Sequence, residues 1–286
     1  MRIFNTIKLA ITSTILLSNQ FVSFLHYKSN KNPFSMFDNK LTNFIMDDKY
    51  SKLFDEKKLI TISPGGIKGF YLLGILTYIK ETYNTDDFIY SGASAGAWNG
   101  LFMCYKGDPL YFAYNLLDSD IKKAKSINEI EYFMKYKILA NYKTEDFDFS
   151  KLFIGLTTFK GLKPNIHIFS DFQTLEDAIN CCIASSHIPI LTGGLTNKYH
   201  NMFAFDGGFS SYPYVNRTRI LHISPSMWSK IDTNRNIVKI GLHSAKQFYE
   251  VFSLYKTSFI ELYDDGYHDA KKNRAFLDTI FTPKFE

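Results

Sequence analysis

Phe88-Ile89-Tyr90-Ser91-Gly92-Ala93-Ser94-Ala95-Gly96-Ala97-Trp98 decides how the rest of the chain is read. Its first three residues are a short apolar β-like run, and an apolar helical pattern starts at about Ala95, so the glycines mark the turn between them. Gly92-Ala93-Ser94-Ala95-Gly96 fits G-x-S-x-G, the pattern of a sharp strand-to-helix turn that exposes a serine hydroxyl at a helix N-terminus. Small flanking residues suit that turn because larger side chains collide inside it. The helix dipole and the free N–H groups favour negative charge developing there. A glycine-rich helix start capped by its own serine is the plain alternative.

The same strand, tight turn, helix unit precedes it. A strand over 59–62 leads into Ser63-Pro64-Gly65-Gly66-Ile67-Lys68-Gly69, and a helix is expected over 70–83. The loop matches neither G-x-x-x-x-G-K-[ST] nor G-x-G-x-x-G, so a nucleotide loop is excluded. Its glycines let backbone N–H groups turn toward one point, which suits an oxyanion, with Gly65, Gly66 and Ile67 as donors. Further strands are expected over 152–159, 165–169, 203–205, 219–223 and 237–242, and helices over 109–141, 174–185 and 245–277. This alternation predicts an α/β fold with a mixed or mostly parallel sheet covered by helices on both faces.

A serine nucleophile needs a base. Asp206-Gly207-Gly208 follows the strand at 203–205 and presents a carboxylate at a strand end, although D-G is also an ordinary turn signal. His222, His243 and His268 follow Asp206 in the order of a Ser-Asp-His triad, but the first two fall in β-like runs and the third in a helix. A buried carboxylate serves directly when desolvation raises its pKa against the serine hydroxyl.

Composition bounds the remainder. The 286 residues are 45% hydrophobic and 21% charged, which excludes a disordered, collagenous or coiled-coil chain. A net charge of +5, with no dense basic run, excludes nucleic acid and suits an anionic membrane surface. Aromatic residues reach 17%, enough for some rings to face a lipid partner. Cys104, Cys181 and Cys182 are odd in number and read as core residues, not as a disulfide framework or metal site. Residues 1–30 combine Arg2 and Lys8 with a short apolar stretch and read as a targeting or membrane-anchor segment, with a transit peptide or a terminal helix as alternatives. Membrane association, secretory or endomembrane before organellar, is the expected location. Residues 31–57 read as a polar connecting segment, and 58–286 as one folded domain.

Taken together, these motifs resemble the patatin-like phospholipases, from about Leu59 to Asn273. Pro64 to Gly69 resembles the family's glycine-rich oxyanion loop with its basic residue at Lys68. Gly92 to Gly96 resembles the nucleophile elbow and Asp206-Gly207-Gly208 the D-G-[AG] motif. Ala184-Ser185-Ser186-His187-Ile188-Pro189 resembles the segment before the aspartate motif, and 263–270 the closing helix. The resemblance implies a three-layer patatin-like fold and a lipid acyl hydrolase, with Ser94 as nucleophile, Asp206 as base, and Gly65, Gly66 and Ile67 as oxyanion hole; for Lys68 the readings are steadying the loop, meeting a lipid phosphate, or a solvated surface lysine. It implies a phospholipid or acylglycerol substrate, a membrane or lipid-droplet surface, and no metal or organic cofactor. Two departures stand out: Pro64 replaces the first loop glycine and removes an N–H donor, and bulky Trp98 narrows the acyl pocket. A triad esterase and a non-catalytic lipid-binding relative are the rival readings.

Overall fold

The computed structural model describes residues 48–118, 121–160, 163–210, 212–228 and 258–284. The N-terminal segment 1–30, the strand expected at 237–242 and His243 lie outside the described residues. Seven strands form one sheet: β1 (Lys58–Ile62), β2 (Phe88–Gly92), β3 (Leu152–Lys160), β4 (Lys163–Phe169), β5 (Asn197–Tyr199), β6 (Met202–Phe205) and β7 (Arg219–Ile223). The order is β5-β6-β3-β2-β1-β7, with β4 also on β3. β1, β2, β3 and β7 pair in parallel, whereas β4 and β6 run antiparallel to β3 and β5 antiparallel to β6.

β3 is the strand on which the site depends. β4 pairs along it from Ile154 to Lys160. Because Ile154 also pairs with Gly92, and Thr157 with Phe205, β2 and β6 share the opposite edge of β3. β2 travels with β3 and β6 against it, so the two strands run toward each other and end near Gly155.

Eight α-helices surround the sheet among the described residues: α1 (Asp48–Glu56), α2 (Gly69–Thr82), α3 (Ala95–Cys104), α4 (Pro109–Leu116), α5 (Ile127–Asn141), α6 (Leu175–Ser185), α7 (Phe259–Lys272) and α8 (Arg274–Leu277). Strand alternation splits the core in two. Ile60, Ile62, Tyr90, Leu152, Ile154 and Leu156 join the large cluster shared with α2 to α8. Leu59, Ile89, Phe153 and Ile168 point the other way, toward Tyr50, Leu53 and Phe54 of α1 and toward Val215. Helices therefore lie on both faces, very unequally. α1 falls in the stretch read as connecting sequence. Its apolar residues at 50, 53 and 54 keep helical spacing in an otherwise polar run, and the sheet supplies the partner that makes the helix stable.

The long helix expected over 109–141 is two helices with a 3-10 turn at Ile121–Lys123 between them. Each has its own start signal. Asp108 accepts from the N–H groups of Leu110 and Tyr111 ahead of Pro109, and Ser126 accepts from Glu129 N. The described part of 245–277 begins at Ser258, which caps α7, and pauses at Asn273 before α8. α7 closes the large face by crossing α2 where both helices carry glycine. A methyl group on Gly266 would stand 2.0 Å from Tyr71 O, and one on Gly74 2.0 Å from Tyr263 O. Gly266→Ala is expected to lower stability by about 3 kcal/mol in chemical denaturation, because two backbones must separate to admit it.

Candidate active site

Ser94 sits at the N-cap of α3 with φ 54 and ψ −127, a conformation in which a non-glycine residue stores about 1–3 kcal/mol of strain. The surroundings impose it. A Cβ on Gly96 would lie 2.1 Å from Ile62 O, and one on Gly92 2.1 Å from Gly96 O, so the turn folds only with glycine at both positions. Ser94 N donates to Ser185 Oγ at 2.9 Å, and Ser185 Oγ donates to Gly155 O at 2.7 Å. Ser185 thus ties the turn to β3. The result is a serine hydroxyl held off-helix at the mouth of α3, 4% exposed.

Asp206 arrives from the other direction. β6 ends beside Gly155, and Gly207 follows so closely that a Cβ there would meet Gly155 O at 2.5 Å and Ala93 Cβ at 2.6 Å. Asp206 N donates to His187 O at 2.8 Å, and Gly208 N donates to Asp206 Oδ1 at 2.6 Å. The remaining carboxylate oxygen, Oδ2, accepts from Ser94 Oγ at 2.6 Å. Burial raises the Asp206 pKa from 3.8 to about 6, the hydrogen bonds from Ser94 and Gly208 opposing the rise. Such a carboxylate is ionised at neutral pH and holds a proton readily when one is offered.

The sequence-derived site residues fall into three groups. Gly66, at φ 53, and Ile67 open a 3-10 turn and line the same cleft as Ser94; the first N–H groups of such a turn have no acceptor within it. Gly65 lies outside that lining and faces Pro225 and Leu72, while Lys68 is exposed. Pro64 packs against the Asp206 turn, its ring 3.2 Å from a Cβ built on Gly208. Of the histidines, His222 is bound by Thr61 Oγ1 at 2.8 Å, and His268 contacts Asp264 O on the outer side of α7. Neither forms a hydrogen bond with Ser94 or Asp206. The three cysteines are buried and free, as their spacing suggests.

The cleft beside Ser94 holds about 700 Å3 of empty space, open mouth included. Phe70, Leu73, Phe102, Leu116, Ile130 and Met134 give it an apolar lining, and Trp98 stands one turn along α3 from Ser94. Three polar groups in that lining escaped the sequence reading, Glu131, Asn99 and Thr192. The signal for Glu131 was present: Ile127, Ile130, Glu131 and Met134 are one stripe at helical spacing, and only one of the four is charged.

The raised Asp206 pKa predicts a pH-dependent cost of keeping this buried carboxylate. Between about pH 4 and about pH 6 the folded state binds a proton that the unfolded chain has released, so stability falls as pH rises. A shift of this size corresponds to about 3 kcal/mol. Asp206→Asn is therefore expected to unfold later than the parent in urea at about pH 7.5, with the gap closing toward about pH 4.

A patatin-like phospholipase family model matches residues 60–215, a span that runs from β1 past the Asp206 turn. No curated protein matches the chain. Among solved structures, the crystal structure of VipD from Legionella pneumophila is similar at 12% identity and a TM-score of 0.42, over 80% of this chain and 68% of that chain. With more than half of its length matched by one family model, and with that model's span enclosing both the elbow and the aspartate turn, the chain belongs to the patatin-like phospholipase family.

Proposed function

We propose that this chain is a serine acyl hydrolase that cleaves fatty-acyl esters of phospholipids or acylglycerols at a lipid surface, through a Ser94–Asp206 dyad and an acyl-enzyme. One observation carries the reading: the buried 2.6 Å hydrogen bond from Ser94 Oγ to Asp206 Oδ2, at the end of an apolar cleft. Asp206 takes the hydroxyl proton as Oγ attacks the ester carbonyl. The carbonyl oxygen becomes an oxyanion facing the N–H groups of Gly66 and Ile67, with the α3 N-terminus adding its positive end. The tetrahedral intermediate collapses, the lysolipid or glyceride alcohol leaves with the proton from Asp206, and the acyl group stays on Oγ. Water then gives a proton to Asp206 and attacks the acyl carbonyl, releasing the fatty acid and restoring the serine hydroxyl.

The test is fatty-acid release by the full chain from mixed phosphatidylcholine and triacylglycerol vesicles, with EDTA present throughout. Ser94→Ala and Asp206→Asn are each expected to lose activity by roughly three orders of magnitude or more, while His222→Ala and His268→Ala retain it. Activity is expected to climb with pH through about 6, since Asp206 must be ionised to accept the proton. An inactive parent that a fluorophosphonate fails to label at Ser94 would favour a non-catalytic lipid-binding protein.

The loop after α6 supports a lipid surface as the place of action. Ile190, Leu191 and Leu195 are 58%, 38% and 69% exposed, and Thr192 between them lines the cleft. Aliphatic side chains left in water at the rim of an apolar cleft gain about 1.5–3 kcal/mol each when they enter lipid. Ile190→Asp with Leu195→Asp is expected to reduce vesicle hydrolysis at least about tenfold more than hydrolysis of a soluble ester, measured side by side.

A further inference from the structure

Glu131 has no place in the chemistry above, yet it lies 5% exposed in the wall of an apolar cleft. Its carboxyl group is within hydrogen-bonding reach of Ser186 and Trp98. Both neighbours are hydrogen-bonded elsewhere as well. Trp98 Nε1 donates to Ser186 Oγ at 3.1 Å, and Ser186 Oγ donates to Cys182 O at 3.0 Å. Among the described residues no lysine, arginine or histidine forms an ion pair with Glu131. Burial holds its carboxyl well above the usual carboxylate range, the negative charge of Asp206 acts in the same sense, and the hydrogen bonds from Ser186 and Trp98 oppose the rise. In its neutral form a carboxyl has one O–H to give and a carbonyl oxygen that can receive.

Asn99 adds a second acceptor to the same cleft. Its Nδ2 donates to Gly69 O at 3.1 Å and to Ala95 O at 2.9 Å, which orients the amide. Its Oδ1 is buried and has no partner. Asn99 is tied toward the start of α2, whereas Glu131 projects from α5, so the two acceptors belong to different walls. An unsatisfied buried acceptor costs about 1–3 kcal/mol. That bare oxygen and the Glu131 carboxyl, in a cleft lined mostly by apolar side chains, call for a ligand that is apolar along its length and carries a hydrogen-bond donor part-way.

We propose that Glu131 and Asn99 form a polar subsite within the acyl cleft that receives a hydroxyl group on the substrate's acyl chain, making hydroxylated acyl esters the preferred substrates. The proposal rests on the acyl-hydrolase reading and deepens it. Trp98 and Asn99 follow Ser94 by about one helical turn, roughly 6 Å along α3, so the subsite meets the chain close to the ester. A hydroxyl there donates to the Glu131 carbonyl oxygen or to Asn99 Oδ1 and accepts nothing it must share with water. An unsubstituted chain leaves Asn99 Oδ1 bare and brings no donor to the Glu131 carboxyl. The discrimination follows from that asymmetry: a site built to hydrogen-bond a hydroxyl rejects the analogue lacking it more strongly than an apolar wall rejects an added hydroxyl.

The experiment compares kcat/KM of the full chain on p-nitrophenyl β-hydroxymyristate and myristate, and on ricinoleoyl and oleoyl esters, for the parent, Glu131→Gln and Glu131→Leu. The parent is expected to favour the hydroxylated member of the myristoyl pair at least about tenfold, and the ricinoleoyl pair less, its hydroxyl lying far from the ester. Glu131→Gln, which keeps a carbonyl acceptor, is expected to keep the preference, and Glu131→Leu to reverse it. Equal rates for both members of each pair in the parent would overturn the proposal. So would a Glu131→Leu protein that stays folded and loses both substrates alike, since the carboxyl would then act by positioning Trp98. Binding of free β-hydroxymyristic and myristic acids to Ser94→Ala, followed by calorimetry, tests the subsite without turnover. If the parent hydrolyses nothing, a tenfold binding preference lost in Ser94→Ala with Glu131→Leu still supports the subsite, and equal binding overturns it.

Discussion

Two strands converge on one edge of β3 and stop against each other at Gly155, and every other feature of the site follows from that collision. β2 brings Ser94 and β6 brings Asp206, from elements 112 residues apart in sequence. Neither strand has room to continue, because Gly207 is already in contact with Gly155 O and Ala93. The short segment after α6 then ties both sides to the junction. Ser185 holds the backbone N–H of Ser94, and the carbonyl of the neighbouring His187 holds the backbone N–H of Asp206. Ser94 and Asp206 therefore have their main chains fixed by adjacent parts of one turn. The hydroxyl-to-carboxylate bond is a consequence of that anchoring as much as its purpose.

Electrostatically the centre works by withholding compensation. Asp206 is a buried carboxylate stabilised by one hydroxyl and one backbone N–H, with no cation among the causes that set its pKa. An arginine or lysine beside it would stabilise the anion and make it a poorer base. Burial also holds the Glu131 carboxyl in the cleft wall well above the usual carboxylate range, and the negative charge of Asp206 acts in the same sense. Both carboxyl groups are raised by desolvation, and in each case hydrogen-bond donors oppose the rise without cancelling it.

Much of this was legible in the residues themselves. G-x-S-x-G between a strand and a helix specifies a turn that only glycines can make, and Asp-Gly-Gly after a strand specifies a carboxylate with clearance behind it. Local backbone sterics write such motifs, and sterics survive in sequence. What was illegible depended on partners remote in the chain. α1 is a helix only because Leu59, Ile89 and Phe153 offer its three apolar residues a surface. β4 and β6 carry no mark of running antiparallel, since direction is set by pairing with β3. The break between α4 and α5 was signalled by Asp108 and Ser126 but overridden by the continuous apolar pattern around them. Gly65 and Ile67 looked equivalent as donors, and only the 3-10 turn distinguishes the one that lines the cleft. Ser185 was recognisable as part of a family-like segment, although its task of holding the elbow required Gly155 to be in place.

The meeting of β2 and β6 also orders events during synthesis. A ribosome that has delivered α3 has made Ser94, the glycines of its turn and much of the cleft lining, all within the first part of the domain. Asp206 is still unmade, and its strand of four residues finds a place only after β3 has been laid down to receive it. A nascent or truncated chain ending before Asp206 carries the serine hydroxyl without the carboxylate that accepts its hydrogen bond. The pairing of the two side chains is thus withheld by chain order alone, until the late strand closes against Gly155.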